Sequence, residues 1–149
     1  MGHMRKSLNH IALTGLIMIG ASLAWADDIP VCTQPSGVQT RSFPDQIPAV
    51  LLKALNDGYG TFARPGEQFY STDAHVADEP SRSSRRVIFV WEQGARWIVA
   101  TEHGGGAYND PILIYDLDPQ NSKASLVKEL VALPMTVCDT AKKWVGGNP

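Results

Sequence analysis

The sequence predicts an α+β protein in which two helices flank a four-stranded antiparallel β-meander and one disulfide joins the chain ends. Three observations support this prediction. Strand-like runs follow one another between 86 and 132 with only short connections, apolar residues at helical spacing come before and after them, and the chain contains two cysteines.

The meander is read from runs rich in β-branched and aromatic residues. "RVIFVWE", "RWIVATE" and "PILIYDL" each predict a strand, and "QGA" predicts a short hairpin turn between the first two. The following "KASLVKELVAL" fits either a helix or a strand. Its place after the turn-forming "DPQNS" favours a fourth strand.

A helix is predicted on each side of the sheet. Apolar residues from Ile47 onward recur at helical spacing and predict a helix at about 46–57, with Gly58 as its C-terminal stop. "TVCDTAKKWV", at 136–145, predicts a short second helix capped by Thr136.

The segments outside these elements carry weaker signals. Residues 27–42 are polar and are expected to run extended along the surface. Residues 59–85 lack sustained periodicity; one short strand near Gln68–Ser71 is expected, and the polar 79–86 segment is expected to form a loop.

The N-terminus has the pattern of a secretory signal peptide. Arg5 and Lys6 precede the largely apolar Ile11–Trp25, and small residues at Ala24 and Ala26 predict cleavage before Asp27. The apolar run is short for a transmembrane anchor, which is the alternative. Residues 1–3 resemble a cloning remnant. The expected organisation is a signal peptide at 1–26 and a single periplasmic domain at 27–149.

The charge of the mature chain indicates little about its partners. Removal of Arg5 and Lys6 from the 13 Lys and Arg residues leaves 11 against 15 Asp and Glu, a formal charge of −4. A mildly acidic chain has no general reason to bind nucleic acid or an anionic membrane.

Cys32 and Cys138 are the only cysteines, and both lie in the exported part. An even count in an oxidising compartment predicts a disulfide between the two ends of the domain. A reactive cysteine with a histidine partner is the alternative, but neither cysteine has an adjacent histidine.

The segment "EHGGGAYND" at 102–110 is the candidate functional loop. A phosphate-binding loop is excluded because the glycines are followed by another strand rather than a helix. Metal binding through His75, Asp73 and Asp78 matches no specific ligand spacing, so no metal or cofactor is expected.

Three readings of this loop stay open. His103 with Asp110 could act as a general base, and Glu102 with Asp110 could form a glycosidase pair. A glycine-rich connector is the second reading. The third is a binding loop: glycines permit close backbone approach to a partner, and Tyr108 is a typical interface anchor.

The strand–loop–strand segment "WEQGARWIVATEHGGGAYNDPILIYDLD" and the late "TVCDTAKKW" resemble the periplasmic immunity proteins of type VI secretion peptidoglycan amidases. The periplasmic lysozyme inhibitors are a related comparison, although "HGGGAY" departs from their serine-bearing loop. The resemblance implies a protein that is not an enzyme. It would bind an amidase effector and occlude its cysteine–histidine active site.

The resemblance assigns partner binding to one contiguous loop, assisted by the 79–86 segment. Tight immunity implies a nanomolar or lower dissociation constant and an interface larger than one loop. A homodimer with two copies of the site stays open. The predicted partner-binding residues are Glu102, His103, Gly104, Gly105, Gly106, Ala107, Tyr108, Asn109 and Asp110.

Overall fold

The described part of the chain is built on a five-stranded antiparallel sheet whose strands lie in sequence order. A computed structural model describes residues 30–70, 83–104, 109–118, 120 and 122–145. The predicted signal peptide lies outside these residues. The elements, in chain order, are β1 (Gln39–Arg41), α1 (Ala49–Tyr59), β2 (Arg85–Gln93), β3 (Arg96–His103), β4 (Asp110–Asp118), β5 (Lys123–Ala132) and α2 (Val137–Lys142).

The antiparallel sheet, the two helices and the disulfide confirm the main lines of the predicted fold. The prediction of four strands is wrong by one, because β1 adds a fifth strand beside β2. β1 is three residues long and polar, so it carries no alternation of apolar and polar residues. The ambiguous segment from Lys123 is a strand, as the meander context favours.

The sheet is covered on both faces. On one face α1 buries Leu51 and Leu55 against Trp97 and neighbouring strand residues. On the other face α2 buries Val137 and residues around it. Strands β2, β3 and β4 are therefore buried on both sides, which explains why they read as nearly continuous apolar runs.

The predicted bounds of α1 need correction at both ends. The helix begins at Ala49, since Pro48 keeps an extended backbone at φ −55° and ψ 137°. It passes through Gly58 and ends at Tyr59, and Gly60 then takes a positive φ of 79°. A glycine adopts that conformation without the steric penalty that a Cβ atom brings.

Helix α2 is shorter than the predicted 136–145 and is capped differently. Thr136 occupies the N-cap position, but its side chain makes no capping hydrogen bond to the helix. Its hydroxyl instead donates to the carbonyl oxygen of Leu133 at 3.1 Å and accepts from the Leu133 N–H. The threonine therefore fixes the turn that leads out of β5.

The predicted disulfide is present between Cys32 and Cys138, which are 106 residues apart in sequence. The strand expected near Gln68–Ser71 is not found at 68–70, and Ser71 lies outside the described residues. Of the polar 79–86 segment, only 83–86 is described. Arg85 already belongs to β2, and the backbone of Arg86 bridges to Ala63.

Candidate functional site at the β3–β4 loop

The connection between β3 and β4 is fixed at both ends by backbone hydrogen bonds. The His103 N–H donates to the Asn109 carbonyl oxygen at 2.9 Å, and the Asn109 N–H donates back at 3.4 Å. The Gly104 N–H also donates to the Ser84 carbonyl oxygen at 3.1 Å. The predicted contact residues Gly105, Gly106, Ala107 and Tyr108 lie outside the described residues.

A row of four residues crosses the sheet directly below this connection. Arg86 on β2 is paired with Glu102 on β3, and Asp110 on β4 is paired with Ala132 on β5. The β3–β4 register places Glu102 opposite Asp110, since it pairs Ala100 with Ile112 and the hairpin closes with His103 opposite Asn109. Opposed residues of neighbouring strands point to the same face.

The first two members of this row form a buried ion pair. Arg86 and Glu102 are each 5% exposed. The Nε and Nη2 of Arg86 donate to Oε2 of Glu102 at 2.9 Å and 2.6 Å. The guanidinium also lies 4.5 Å from the centre of the Phe69 ring, and Nη1 donates to the Glu67 carbonyl oxygen at 3.3 Å.

The third member, Asp110, is buried without such compensation. It is 1% exposed, and neither of its carboxyl oxygens has a hydrogen-bond partner among the described residues. Burial, assisted by the negative charge of Glu102, raises the pKa of Asp110 from 3.8 to about 6. A buried carboxyl next to a carboxylate favours its neutral form, because two adjacent negative charges repel in a medium of low polarity.

The two acids do not have the arrangement of an accessible catalytic pair. A glycosidase needs both carboxyl groups facing the scissile bond. Here Glu102 is held by Arg86, and both acids are almost completely covered. The structure thus places Glu102, Gly104 and Asp110 in the buried base of the loop, and His103 and Asn109 partly exposed at its rim.

Arg86 is a site residue that the sequence does not reveal. The two-residue turn pairs Gln93 with Arg96, and a regular ladder counted back from there would place Arg86 opposite His103. A bulge between Val87 and Phe89 shifts the register by one residue and brings Arg86 opposite Glu102 instead. No signal in the sequence specifies this bulge.

Away from the loop, the described residues hold a cavity but no group of side chains suited to a metal ion. Within the described residues, no three His, Cys, Asp or Glu side chains are grouped to hold a metal ion. The candidate set of Asp73, His75 and Asp78 lies outside them. A cavity of about 290 Å³ lies at the opposite end of the sheet, between the start of α1 and the β2–β3 and β4–β5 turns.

Comparisons with known proteins do not identify a relative. No family model, curated protein or solved structure matches the chain. Neither helix of the described part is long and apolar enough to cross a membrane. Function is therefore inferred from the loop, its base and the surfaces around them.

Proposed function

We propose that this protein is a periplasmic immunity protein that binds a type VI secretion peptidoglycan amidase and occludes its active site. The observation that carries the proposal is the fixed base of the β3–β4 connection. Its two ends are joined by backbone hydrogen bonds, and the buried Arg86–Glu102 pair lies directly beneath them.

A fixed base favours binding because it lowers the entropy lost when a loop is held by a partner. Gly104 is bonded to Ser84, the residue before β2, and His103 is bonded to Asn109, the residue before β4, so the connection begins and ends beside three strands of the sheet. Binding loops are commonly carried in this way by a rigid sheet.

The composition of the connection fits insertion into a narrow cleft. Its central glycines allow close approach of the backbone to a partner, and Tyr108 supplies one large aromatic anchor. His103 and Asn109 are partly exposed beside it and can exchange hydrogen bonds with polar groups at the mouth of a hydrolase cleft.

The buried acids have a supporting role in this proposal. Glu102 positions Arg86, and Asp110 occupies the start of β4, so neither needs to contact the amidase. Their charges are shielded from a partner by burial, at 5% and 1% exposure. We therefore assign direct contact to the segment 103–109 and support to the two flanking acids.

Export is the second support for the proposal. A signal peptide at 1–26 would deliver the domain to the compartment in which peptidoglycan is degraded, and the Cys32–Cys138 disulfide suits an oxidising compartment. The resemblance of the strand–loop–strand segment to amidase immunity proteins points to the same class of partner.

The test is an inhibition assay with the oxidised domain 27–149 and the amidase encoded beside its gene. We expect a nanomolar complex and loss of peptidoglycan digestion. Because hot-spot tyrosines contribute about 2 kcal/mol or more, Tyr108→Ala should weaken binding by roughly 30-fold. Gln120→Ala, in the β4–β5 turn at the other end of the sheet, is the matched control and should bind as the wild type does.

The same assay separates the inhibitor from a hydrolase. A hydrolase that uses His103 as its base would release peptidoglycan fragments without the amidase, and His103→Ala would abolish that release. The inhibitor proposal expects no release from the domain alone. Fragment release that depends on His103 would overturn it.

A further inference from the structure

The two edges of the sheet differ in length and in what they expose. β1 forms one edge with three residues, whereas β5 forms the other with ten. Within the described residues, no further strand pairs with the outer side of β5. A long open edge presents unpaired backbone N–H and C=O groups to any strand of matching shape.

Apolar side chains are concentrated along this same edge. Among the described residues, six large apolar side chains are exposed, and five of them lie between 126 and 135. Single exposed apolar residues are ordinary, but a contiguous group indicates an interaction surface. We call this group the β5 surface; its members are Leu126, Val127, Val131, Leu133 and Met135.

We propose that two copies of this chain associate through β5, antiparallel and with Leu130 on the two-fold axis, to form a continuous ten-stranded sheet. The inference goes beyond the immunity function and does not depend on it. A symmetric pair is the simplest use of one open edge, because the same surface then serves both copies.

Symmetry and the bulge in β5 together select the register. When a two-fold axis perpendicular to the sheet relates two antiparallel strands, residues that face each other across the pair point to the same side of the sheet. The axis therefore lies between one residue and its own copy, and not between two successive residues. The ladder to β4 is interrupted between Leu126 and Lys128, which leaves 128–132 as the longest regular stretch. Full overlap of this stretch with its copy centres on Leu130.

This register also gives compatible neighbours. Lys128 comes opposite Ala132 of the second copy, and Glu129 comes opposite Val131. Centring the axis on Lys128 or Glu129 would instead oppose two like charges, which destabilises a sheet. Just beyond the two ends of the regular stretch, exposed Val127 comes close to exposed Leu133 of the second copy, so the pairing removes apolar surface from water on both sides.

The pairing also supplies a counter-charge to Asp110. Ala132 is the last member of the row that contains Arg86, Glu102 and Asp110, so Lys128 of the second copy extends this row. In this row, the methyl group of Ala132 lies between the lysine and the carboxyl. Two strand spacings amount to about 10 Å between the Cα atoms, within the combined reach of a lysine and an aspartate side chain.

Sedimentation equilibrium of the oxidised domain tests the pairing. We expect a dimer that dissociates on dilution from about 100 µM. Lys128→Glu should raise the dissociation constant about tenfold or more, because it places a negative charge beside Asp110 of the second copy. Lys123→Glu makes the same charge change on β5 outside the paired stretch and should leave the constant unchanged. A monomer at every concentration, or equal effects of both variants, would overturn the proposal.

Thiol cross-linking tests the register itself. In Val127→Cys with Leu133→Cys, the introduced thiols of two copies are neighbours, and oxidation should give a covalent dimer on a non-reducing gel. Each single variant should stay monomeric on the gel, since its two equivalent thiols are six residues out of register, about 20 Å apart. Cross-linking of a single variant but not of the double variant would contradict the Leu130 axis. Pairing of β5 with a strand of the amidase, in place of a second copy, would also contradict it.

Discussion

Three charged side chains lie next to one another below the β3–β4 loop, and burial affects them differently. Arg86 and Glu102 form an ion pair at hydrogen-bond distance. Within the described part of the chain, the carboxyl group of Asp110 has no hydrogen-bond partner, and its pKa rises to about 6. If one member of a buried ion pair is removed, the charge of the other member stays buried without compensation, and the fold then bears its full desolvation free energy.

Arg86→Met should destabilise the fold strongly. The substitution keeps an apolar side chain against Phe69 but removes the Arg86 guanidinium from beside Glu102 and Asp110, two neighbouring buried acids. Breaking a buried ion pair costs about 3–5 kcal/mol. Urea unfolding should show this loss near pH 7 and a smaller loss at pH 4, where Asp110 holds a proton.

The matched control is the exposed pair between Arg96 and Asp116, whose two hydrogen bonds are 2.9 Å and 3.1 Å long. Arg96→Met should cost less than about 1 kcal/mol, because solvent screens a partly exposed pair. Equal losses for the two methionine variants would contradict a structural role of the buried pair.

Asp110→Asn should stabilise the fold at high pH and have little effect at low pH. The folded-state pKa of about 6 lies above the ordinary 3.8, so below about pH 4 both states hold the proton and no penalty arises. Above about pH 6 the folded state has to bury a charged carboxylate. A shift of about 2 pKa units corresponds to about 3 kcal/mol, which the asparagine variant avoids.

Urea unfolding at pH 4 and pH 8 measures this difference. Both proteins are compared in a Lys128→Glu background, so that a second copy supplies no cation to Asp110. The asparagine variant should be more stable at pH 8 and equal at pH 4. The reverse dependence, with the wild type gaining stability as the pH rises, would show that Asp110 has a favourable partner in the single chain.

The sequence identifies the acids of this site but not their environment. Glu102 and Asp110 flank a glycine run, which singles them out, but their environment depends on tertiary packing and on the bulge in β2. Arg86 escapes prediction for the same reason, since the bulge decides which residue it faces. Sequence spacing can therefore name candidate residues, whereas register decides which of them meet.

At the scale of elements, α2 is the part that depends most on its surroundings. It has six residues, far fewer than an isolated helix needs in water. Val137 and Ala141 anchor it on the sheet, and Cys138 joins it to the N-terminal segment. The disulfide therefore stabilises a helix and an extended segment together.

Removing the disulfide in Cys32→Ser with Cys138→Ser should lower the free energy of unfolding by about 2–5 kcal/mol, since the closed loop is long. Thermal unfolding measures the loss, and a reducing agent should destabilise the wild type by a similar amount without affecting the variant. An unchanged unfolding midpoint in the variant would show that α2 and the N-terminal segment are held by packing alone.

The elements that the sequence predicts are those with a large apolar signal. β2, β3 and β4 are buried on both faces, so their runs are long and unambiguous. β5 is mostly exposed and helix-like in composition, and only its place in the meander identifies it. β1 pairs with β2 through its backbone, and its own side chains are polar. The sequence therefore shows no alternation of apolar and polar residues there.

At the scale of the whole molecule, we propose separate roles for the loop and the β5 surface. The loop leaves the sheet at the end where Asp110 pairs with Ala132, and the Leu130 axis reverses the direction of the second copy. The two loops of a dimer would then point in opposite directions along the strands. Each could engage one amidase, which gives an expected stoichiometry of two to two.

The measurement that tests the immunity function most directly is a peptidoglycan-digestion assay with the adjacent gene's amidase, titrated with the oxidised domain 27–149. Digestion should stop at one domain per amidase for the wild type and for Gln120→Ala. Tyr108→Ala should require a roughly 30-fold higher concentration. Undiminished digestion at a saturating concentration of the folded wild-type domain would contradict the proposed function.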